Sequence, residues 1–332
     1  MAEININPAE MVAKQEKRAN PRVEELKASL RLLYKNRLAL VGLIIVAIYY
    51  FIMVLDFAYP PWLGVPNLNS IYVFTRTYGI VQTPISPFVL SNGLPYILGG
   101  TQYNIALLPA MLGALRFDLG VSTLVVAIGA AVGITVGTVS AYLGGVVDEI
   151  IMRVTDIFFS IPFLVLAVAV TALVAHGAGG GLNGLILALI IVWWPIYARL
   201  SRSLALSTKS LNFVEAARAA GSSKARNIFV HIMPNVLSPA FVQMSLDIGS
   251  VVLIFATLFF LGVIPISALS APPELGVLIN YSVGQAGYAS NLFFLGFWWT
   301  FLFPGLFLLV FTVAANLLGD GLRDILDPKL RR

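Results

Sequence analysis

Residues 212–235 read NFVEAARAAGSSKARNIFVHIMPN and separate two long apolar runs. The chain has 332 residues, of which 58% are hydrophobic and only 11% are charged. A soluble domain carries roughly 25% charged residues, so most of this surface is expected to face lipid. A turn between two membrane helices needs far fewer residues than this small, polar and basic segment contains. We therefore interpret residues 212–235, called the elbow below, as a surface that another molecule contacts.

Six apolar runs have the length of a membrane span, because about 20 helical residues cross the ~30 Å hydrocarbon core of a bilayer. We predict an all-α membrane protein with six transmembrane helices and with the elbow between the fourth and the fifth. The predicted spans are 38–58, 117–142, 150–175, 183–204, 236–264 and 294–318.

The basic residues give the predicted orientation. Of the 21 lysines and arginines, all except Arg76 and Arg116 fall on one side of a six-span topology. Because such residues mark the cytoplasmic side, both termini and the elbow are predicted to be cytoplasmic, and the net charge of +5 needs no nucleic-acid partner. The predicted segments are a cytoplasmic N-terminal segment 1–37 with an interfacial helix, a first span 38–58, an extracellular loop 59–116, a membrane core 117–318 that includes the loop 205–235, and a cytoplasmic tail 319–332.

Two features of the spans indicate how the helices pack. Gly129, Gly133 and Gly137 recur at every fourth position of the second span and form a face that a neighbouring helix can approach closely. Trp193 and Trp194 in the fourth span are interpreted as packing residues of the bundle, with substrate contact as the alternative.

The first part of the elbow is predicted to be a helix. Asn212 followed by Glu215 resembles a capping box, and Gly221 should end the helix because glycine accepts the left-handed conformation of many helix ends. Alanines at 216, 217, 219 and 220 would let a partner approach the backbone. The alternative is an ordinary amphipathic connector that lies on lipid, although alanine anchors poorly there.

The second part of the elbow is predicted to be another helix, capped by Ser222 or Ser223, with Pro234 at the entry to the fifth span. Its apolar positions follow the i, i+3, i+4, i+7 spacing of one helix face. That face comprises Ala225, Ile228, Phe229 and Ile232, whereas Lys224, Arg226 and Asn227 are predicted to point elsewhere.

The elbow resembles the coupling-loop signature of ATP-binding-cassette importer permeases, which consists of Glu-Ala-Ala, three residues, Gly and a later Pro. Residues 231–235, HIMPN, are similar to the HILPN of the dipeptide/oligopeptide/nickel branch. Three further stretches resemble signatures of the C-type subunit of these importers: KNRLALVG at 35–42, YLGGVVDEIIMRVTDIFFSIP at 142–162 and NLLGDGLRDILDPKL at 316–330.

The resemblance implies the fold of a type I importer permease and a non-catalytic transport subunit. The implied partners are a homologous B-type permease, two ATPase subunits that bind ATP and Mg²⁺, an extracellular substrate-binding protein and membrane lipid. No cofactor or metal is expected in this chain, which has no cysteine and only two histidines, His176 and His231. The residues implied to couple the ATPase are Glu215, Ala216, Ala217, Arg218, Gly221, Ser222, Ser223, Lys224 and Pro234.

Asp247 is the candidate substrate-pathway residue. It lies in the fifth span, roughly 18 Å from the start by helical rise, where a charge is costly and should face an aqueous cavity or a partner. It could bind a cationic amine or a sugar hydroxyl; a structural hydrogen bond and a protonated carboxyl are the alternatives. Gln243, one turn earlier, could share the pathway. Asp156 is predicted to fix helix packing near the inner surface.

Peptides are the cargo that the resemblance implies. The region before the second span lacks the Gly-Arg-Asp core of the family motif, and the connector before the sixth span also departs from the usual pattern, so oligosaccharides remain an alternative. A secondary transporter would show internal repeats and broken helices near mid-membrane, and neither is predicted from this sequence. An intramembrane hydrolase would need a catalytic mate for Asp247, and no catalytic set is visible.

Overall fold

The structure, a computed structural model, describes residues 36–58, 84–91, 94–101, 105–177, 182–263, 274–283 and 296–326. Within these ranges the secondary structure is helical except for one antiparallel hairpin of β1 (Val89–Ser91) and β2 (Leu94–Tyr96). The helices are α1 (Arg37–Ala58), α2 (Leu107–Leu143), α3 (Gly145–Ser160), α4 (Phe163–Gly177), α5 (Leu182–Lys209), α6 (Asn212–Ala219), α7 (Lys224–Arg226), a π-helical segment (Asn227–Ile232), α8 (Met233–Phe260), α9 (Leu275–Val283) and α10 (Trp299–Leu326).

The all-α membrane class predicted from the sequence is confirmed. Five helices of the described chain are long and apolar enough to cross a bilayer: α1, α2, α5, the continuous helix Lys224–Phe260 and α10. The pair α3 and α4 adds a sixth span if the two are counted together.

The third span is not the continuous helix predicted at 150–175. Its two parts, α3 and α4, meet at an angle of 101°. The break falls at Ile161, which is extended (φ −103°, ψ 136°) because the following Pro162 disfavours helical backbone in the residue before it. The prediction of one continuous third span is therefore wrong.

Several helices extend beyond their predicted spans. The second begins at Leu107 rather than 117, and the last ends at Leu326 rather than 318. Hydropathy marks only the part of a helix that suits lipid, whereas the 37 residues of α2 are roughly 55 Å long, well over the ~30 Å hydrocarbon core. The predicted interfacial helix, most of the predicted loop 59–116 and the end of the tail lie outside the described residues.

The close approach predicted for the glycines of α2 is confirmed. A Cβ atom added at Gly133 would lie 2.5 Å from the Tyr197 Cβ and 2.9 Å from the Ala198 nitrogen of α5. At Gly137 it would overlap the Ala198 carbonyl. The Ser201 hydroxyl of α5 donates a hydrogen bond to the Gly133 carbonyl (3.2 Å), so the two backbones are joined where they touch.

The other long helices pack around this pair. Trp193 is buried with its ring edge-on to Phe163 of α4, at 4.8 Å between centroids, which confirms its packing role. On the far side, α1 packs against α10: the Tyr49 hydroxyl donates to the Phe307 carbonyl (2.9 Å), and the two rings stack at 4.7 Å. Helix α8 contacts α2, α5 and α10.

Two fully buried carboxyl groups meet at the start of α9. The Leu275 N–H donates to Asp118 Oδ2 of α2 (3.3 Å), and the Val277 N–H donates to Glu274 Oε2 (2.7 Å). The free N–H groups of a helix N-terminus favour such acceptors. Burial nevertheless raises the pKa of Glu274 to about 8. This pair was not predicted from the sequence, although Asp118 is an acidic residue inside a predicted span.

Replacing Gly133 by Ala should destabilise the bundle by about 1–3 kcal/mol, because the added methyl group overlaps α5. Thermal unfolding of the purified protein in detergent measures the effect. Gly120→Ala is the matched control, since it is the same substitution in the same helix with no heavy atom within 4 Å of the new Cβ. A Gly133→Ala variant that melts at or above the temperature of Gly120→Ala would contradict the packing.

Glu274 should make the stability of the protein depend on pH. Its pKa is raised in the folded state from 4.5 to about 8, so the folded protein holds this proton more tightly than the unfolded chain. The stabilisation is complete below 4.5 and is lost as the pH rises through about 8. The melting temperature should fall between about pH 5 and pH 9, and Glu274→Gln should flatten that fall. The exposed Glu149→Gln variant is the control and should keep the wild-type slope.

Candidate functional site

The first helix of the elbow, α6, does not begin as predicted. Leu211 is the N-cap residue, in an extended conformation (φ −80°, ψ 142°), and no side chain caps the helix. Asn212 is already helical, so the predicted capping box is wrong. The Leu211 carbonyl accepts hydrogen bonds from the N–H groups of Val214 (2.9 Å) and Glu215 (3.3 Å), and this backbone turn starts the helix without a side-chain oxygen.

Gly221 ends α6, as the sequence predicted. Gly221 has a φ of +80°, in the left-handed region that favours glycine. The Ser222 N–H donates to the Ala217 carbonyl (3.0 Å), and the Gly221 N–H donates to the Arg218 carbonyl (2.9 Å). These two bonds are the pattern of a Schellman motif, which satisfies the last carbonyls of the helix and reverses the chain sharply.

The second helix of the elbow starts at a serine cap, as predicted. The Ser223 hydroxyl oxygen accepts a hydrogen bond from the Arg226 N–H (3.3 Å). After one α-helical turn the chain becomes π-helical, with the Met233 N–H bonded to the Ile228 carbonyl five residues earlier. Pro234 has no N–H to donate to the carbonyl four residues before it, which favours this wider turn.

The π-helical turn changes which side chains the second helix buries. Ile228 and Ile232 are buried as predicted, but Phe229 is 52% exposed, and Ala225 is exposed as well. Asn227, predicted to point elsewhere, is fully buried. Hydrogen bonds between residues i and i+5 put more residues into each turn than the α-helical spacing assumes, so the predicted apolar face is half wrong.

Most coupling residues named from the resemblance are exposed. Val214 is the buried residue that seats α6 against the bundle. Around it, Glu215, Ala216, Arg218 and Gly221 are exposed, and Ala217 and Ser222 are partly buried. Ser223 and Lys224 are exposed on the turn into α7. Pro234 is exposed near the start of α8, after the π-helical segment. An exposed helix of small side chains is suited to close contact with a second protein.

Asp247 lies inside the bundle rather than on an open cavity of this chain. Its side chain is 5% exposed, and its Oδ1 accepts a hydrogen bond from Gln243 Nε2 (2.9 Å), the residue predicted to share its face. The Tyr197 hydroxyl and the Trp193 indole of α5 face the same carboxyl group, without well-aligned hydrogen bonds to it. The carboxyl group is therefore surrounded by groups able to donate hydrogen bonds.

Two ion pairs join α3 to α5 beside the elbow. Arg199 donates to Asp156 at 2.6 Å, which agrees with the packing role predicted for Asp156. Arg202 binds both oxygens of Asp148, at 2.7 and 2.6 Å. Bidentate pairs of this kind hold a fixed geometry.

Within the described part of the chain, no group of three or more His, Cys, Asp or Glu residues is arranged to hold a metal ion.

The architecture is that of a multi-pass α-helical membrane protein with an exposed elbow between two spans, and comparison with known families agrees. The family model for the "binding-protein-dependent transport system inner membrane component" matches residues 133–332. The chain belongs to this family.

Similar proteins cover nearly the whole chain. The dipeptide transport system permease protein DppC of Haemophilus influenzae is 33% identical over 299 residues, which is 90% of this chain and 92% of the relative. The probable D,D-dipeptide transport system permease protein DdpC of Escherichia coli is 35% identical over 84% of each chain. The glutathione transport system permease protein GsiD of Pectobacterium atrosepticum is 35% identical over 65% of this chain and 67% of its own length.

Proposed function

We propose that this chain is the C-type permease subunit of an ATP-driven peptide importer and that the elbow couples it to separate ATPase subunits. The observation that supports the coupling best is the geometry of α6, an alanine-rich helix that is exposed along most of its length and ends in a Schellman turn at Gly221. Small exposed side chains let a partner's surface approach the helix backbone. The residues proposed to make this contact lie within 215–224, with Pro234 setting the entry to α8.

The connections of the elbow explain how docking could move the membrane helices. Two residues separate the end of α5 at Lys209 from the start of α6 at Asn212, and the helix that starts at Lys224 runs without a break to Phe260. A displacement of the elbow therefore acts on two spans at once. In the proposed cycle, ATP binding closes the ATPase pair, and only one arrangement of the elbows fits that closed pair, which shifts the permease between inward-open and outward-open states.

The proposed complex contains a B-type permease, two ATPase subunits and an extracellular binding protein, in a prokaryotic cell membrane with both termini of this chain in the cytoplasm. Family membership supports partners of this kind. ATP and Mg²⁺ are proposed to bind the ATPase subunits. This chain is proposed to carry no cofactor and to catalyse no reaction.

Peptides are the proposed cargo because relatives similar along most of the chain are named for dipeptides and glutathione. A peptide carries a cationic amino terminus, and Asp247 with Gln243 is proposed to contact such a group when the transport pathway opens. Asp247 belongs to α8, and its carboxyl group faces the Tyr197 and Trp193 side chains of α5. A movement of α8 relative to α5 would therefore uncover the carboxyl group.

Asp247→Asn should alter uptake without unfolding the protein. The amide keeps the shape of the carboxyl and an oxygen for Gln243, but it removes the negative charge. We expect the KM for peptides to rise about tenfold, the value of one charge-assisted hydrogen bond. The assay uses proteoliposomes that contain the complete complex with its binding protein, presented with labelled peptides and labelled oligosaccharides. Asp320→Asn, at an exposed carboxyl of α10, is the control.

The cargo assay separates the possible results. If Asp247→Asn imports peptides with an unchanged KM, the Asp247 carboxyl group has a structural role and does not contact the substrate. Uptake of oligosaccharides in place of peptides would overturn the peptide cargo while leaving the coupling by the elbow untouched.

Gly221→Asp and Glu215→Lys should uncouple ATP hydrolysis from import while leaving membrane insertion intact. Both variants place an unsuitable charge on the proposed contact surface, and we expect at least a roughly tenfold loss of ATP-dependent uptake. Gly221→Asn and Glu215→Gln are the matched controls. Asn tolerates the left-handed conformation about as well as Asp does, so the first control isolates the charge. Wild-type uptake in the two charged variants would refute the docking assignment.

A further inference from the structure

Tyr142, the last residue but one of α2, contacts both halves of the elbow. Its hydroxyl oxygen accepts a hydrogen bond from Asn227 Nδ2 of the π-helical segment (3.0 Å). The Arg218 guanidinium of α6 lies 5.2 Å from the centre of its ring. A cation within about 6 Å of an aromatic ring is attracted to the ring face. One side chain at the end of α2 therefore contacts the elbow on either side of the Gly221 turn.

Asn227 extends this contact into the turn itself. Its amide group is fully buried, and its second N–H donates to the Ser222 carbonyl (3.3 Å). Ser222 is the residue whose N–H closes the Schellman motif on Ala217. The Tyr142 hydroxyl is thus connected through one buried amide to the backbone of the turn that sets the angle between the two elbow helices.

The end of α5 is attached to the same place. Lys209 Nζ donates to the Ala141 carbonyl (3.1 Å) and the Tyr142 carbonyl (2.8 Å), which are among the last carbonyls of α2 and have no partner inside that helix. The same ammonium group lies 5.5 Å from the centre of the Tyr142 ring. Helix α5, α6 and the π-helical segment all meet at this one tyrosine.

Helix α2 connects this point to the other end of the bundle. It is one helix from Leu107 to Leu143, and it packs along α5 through the contacts at Gly133 and Gly137. Roughly 36 Å before Tyr142 by helical rise, Asp118 of the same helix accepts the hydrogen bond from the first N–H of α9. One helix therefore connects Tyr142 to the start of α9.

We propose that Tyr142 is a positioning residue for energy coupling, which holds the elbow in a fixed position on α2 so that a movement of the elbow also moves α2. The inference rests on the proposed function, because it assumes that a docked ATPase displaces the elbow. It adds a third helix to the two spans that are joined to the elbow through the chain. Tyr142 acts through its contacts with the elbow and with the end of α5.

The test compares Tyr142→Leu, Tyr142→Phe and Tyr50→Phe in the complete transporter, reconstituted in proteoliposomes with a mixture of radiolabelled dipeptides. The Phe variant keeps the ring that faces Arg218 and Lys209 and loses only the acceptor for Asn227. Tyr50→Phe is the matched control, since it removes a tyrosine hydroxyl that bonds Thr123 of α2 (2.7 Å) far from the elbow. The measured quantity is the amount of peptide imported per ATP hydrolysed, together with the melting temperature.

We expect this ratio to fall about tenfold in Tyr142→Leu and two- to threefold in Tyr142→Phe, and to stay at the wild-type value in Tyr50→Phe. A fall of this ratio is the sign of a positioning role, because a purely structural defect would lower import and ATP hydrolysis together and leave the ratio unchanged. A Tyr142→Leu variant with the wild-type ratio would overturn the inference, whatever its melting temperature.

A second measurement does not depend on the cargo. The chain has no cysteine, so spin labels can be placed on two introduced cysteines: Val230→Cys, at an exposed position of the elbow outside the proposed contact surface, and Gly120→Cys, near the far end of α2. The distance between them should stay constant on ATP binding in the wild type and should shift or broaden in Tyr142→Leu. Equal distances in both proteins would overturn the inference. A wild-type complex that imports no peptide would instead overturn the proposed cargo, and the label distances would still decide the role of Tyr142.

Discussion

The backbones of α2 and α5 approach so closely at Gly133 and Gly137 that no side chain fits between them. Lipid provides no hydrophobic force that drives apolar helices together, so membrane helices rely on close backbone approach and on hydrogen bonds such as the one from Ser201 to Gly133. This contact fixes α2, whose end touches the elbow, against α5, whose end leads into it. Toward the other end of α2, Asp118 holds the start of α9.

The elbow is built from local backbone geometry and then attached by distant side chains. The Schellman turn at Gly221 sets its angle, and the contacts of Tyr142, Lys209 and Asn227 fix it to the ends of α2 and α5. The outer surface of α6 is left exposed by this arrangement. A helix that is held firmly on its inner side and exposed on its outer side is suited to transmit a displacement, which is the property that the proposed ATPase coupling requires.

Local patterns predicted much of the fold and of the candidate site, and the errors have local causes. The apolar runs, the glycine stripe, the helix end at Gly221 and the cap at Ser223 depend on residues within one or two turns, and the structure confirms them. The continuous third span is wrong because hydropathy does not register the effect of Pro162 on Ile161. The apolar face that included Phe229 is wrong because the prediction assumed α-helical spacing, whereas the turn ahead of Pro234 is π-helical.

The amino-acid sequence by itself determined the membrane class, the approximate spans, the elbow and its turn, and the family, because hydropathy, glycine at a left-handed position and motif spacing are encoded in neighbouring residues. Only the tertiary structure decided that Asn227 is buried against Tyr142, that Asp118 meets the start of α9, and that Tyr197 and Trp193 face Asp247. The hydrogen bonds in the first two cases join residues 85 and 157 positions apart. Contacts over such separations depend on how whole helices cross. A local pattern such as the glycine stripe can predict a close approach, but it does not identify the partner residues.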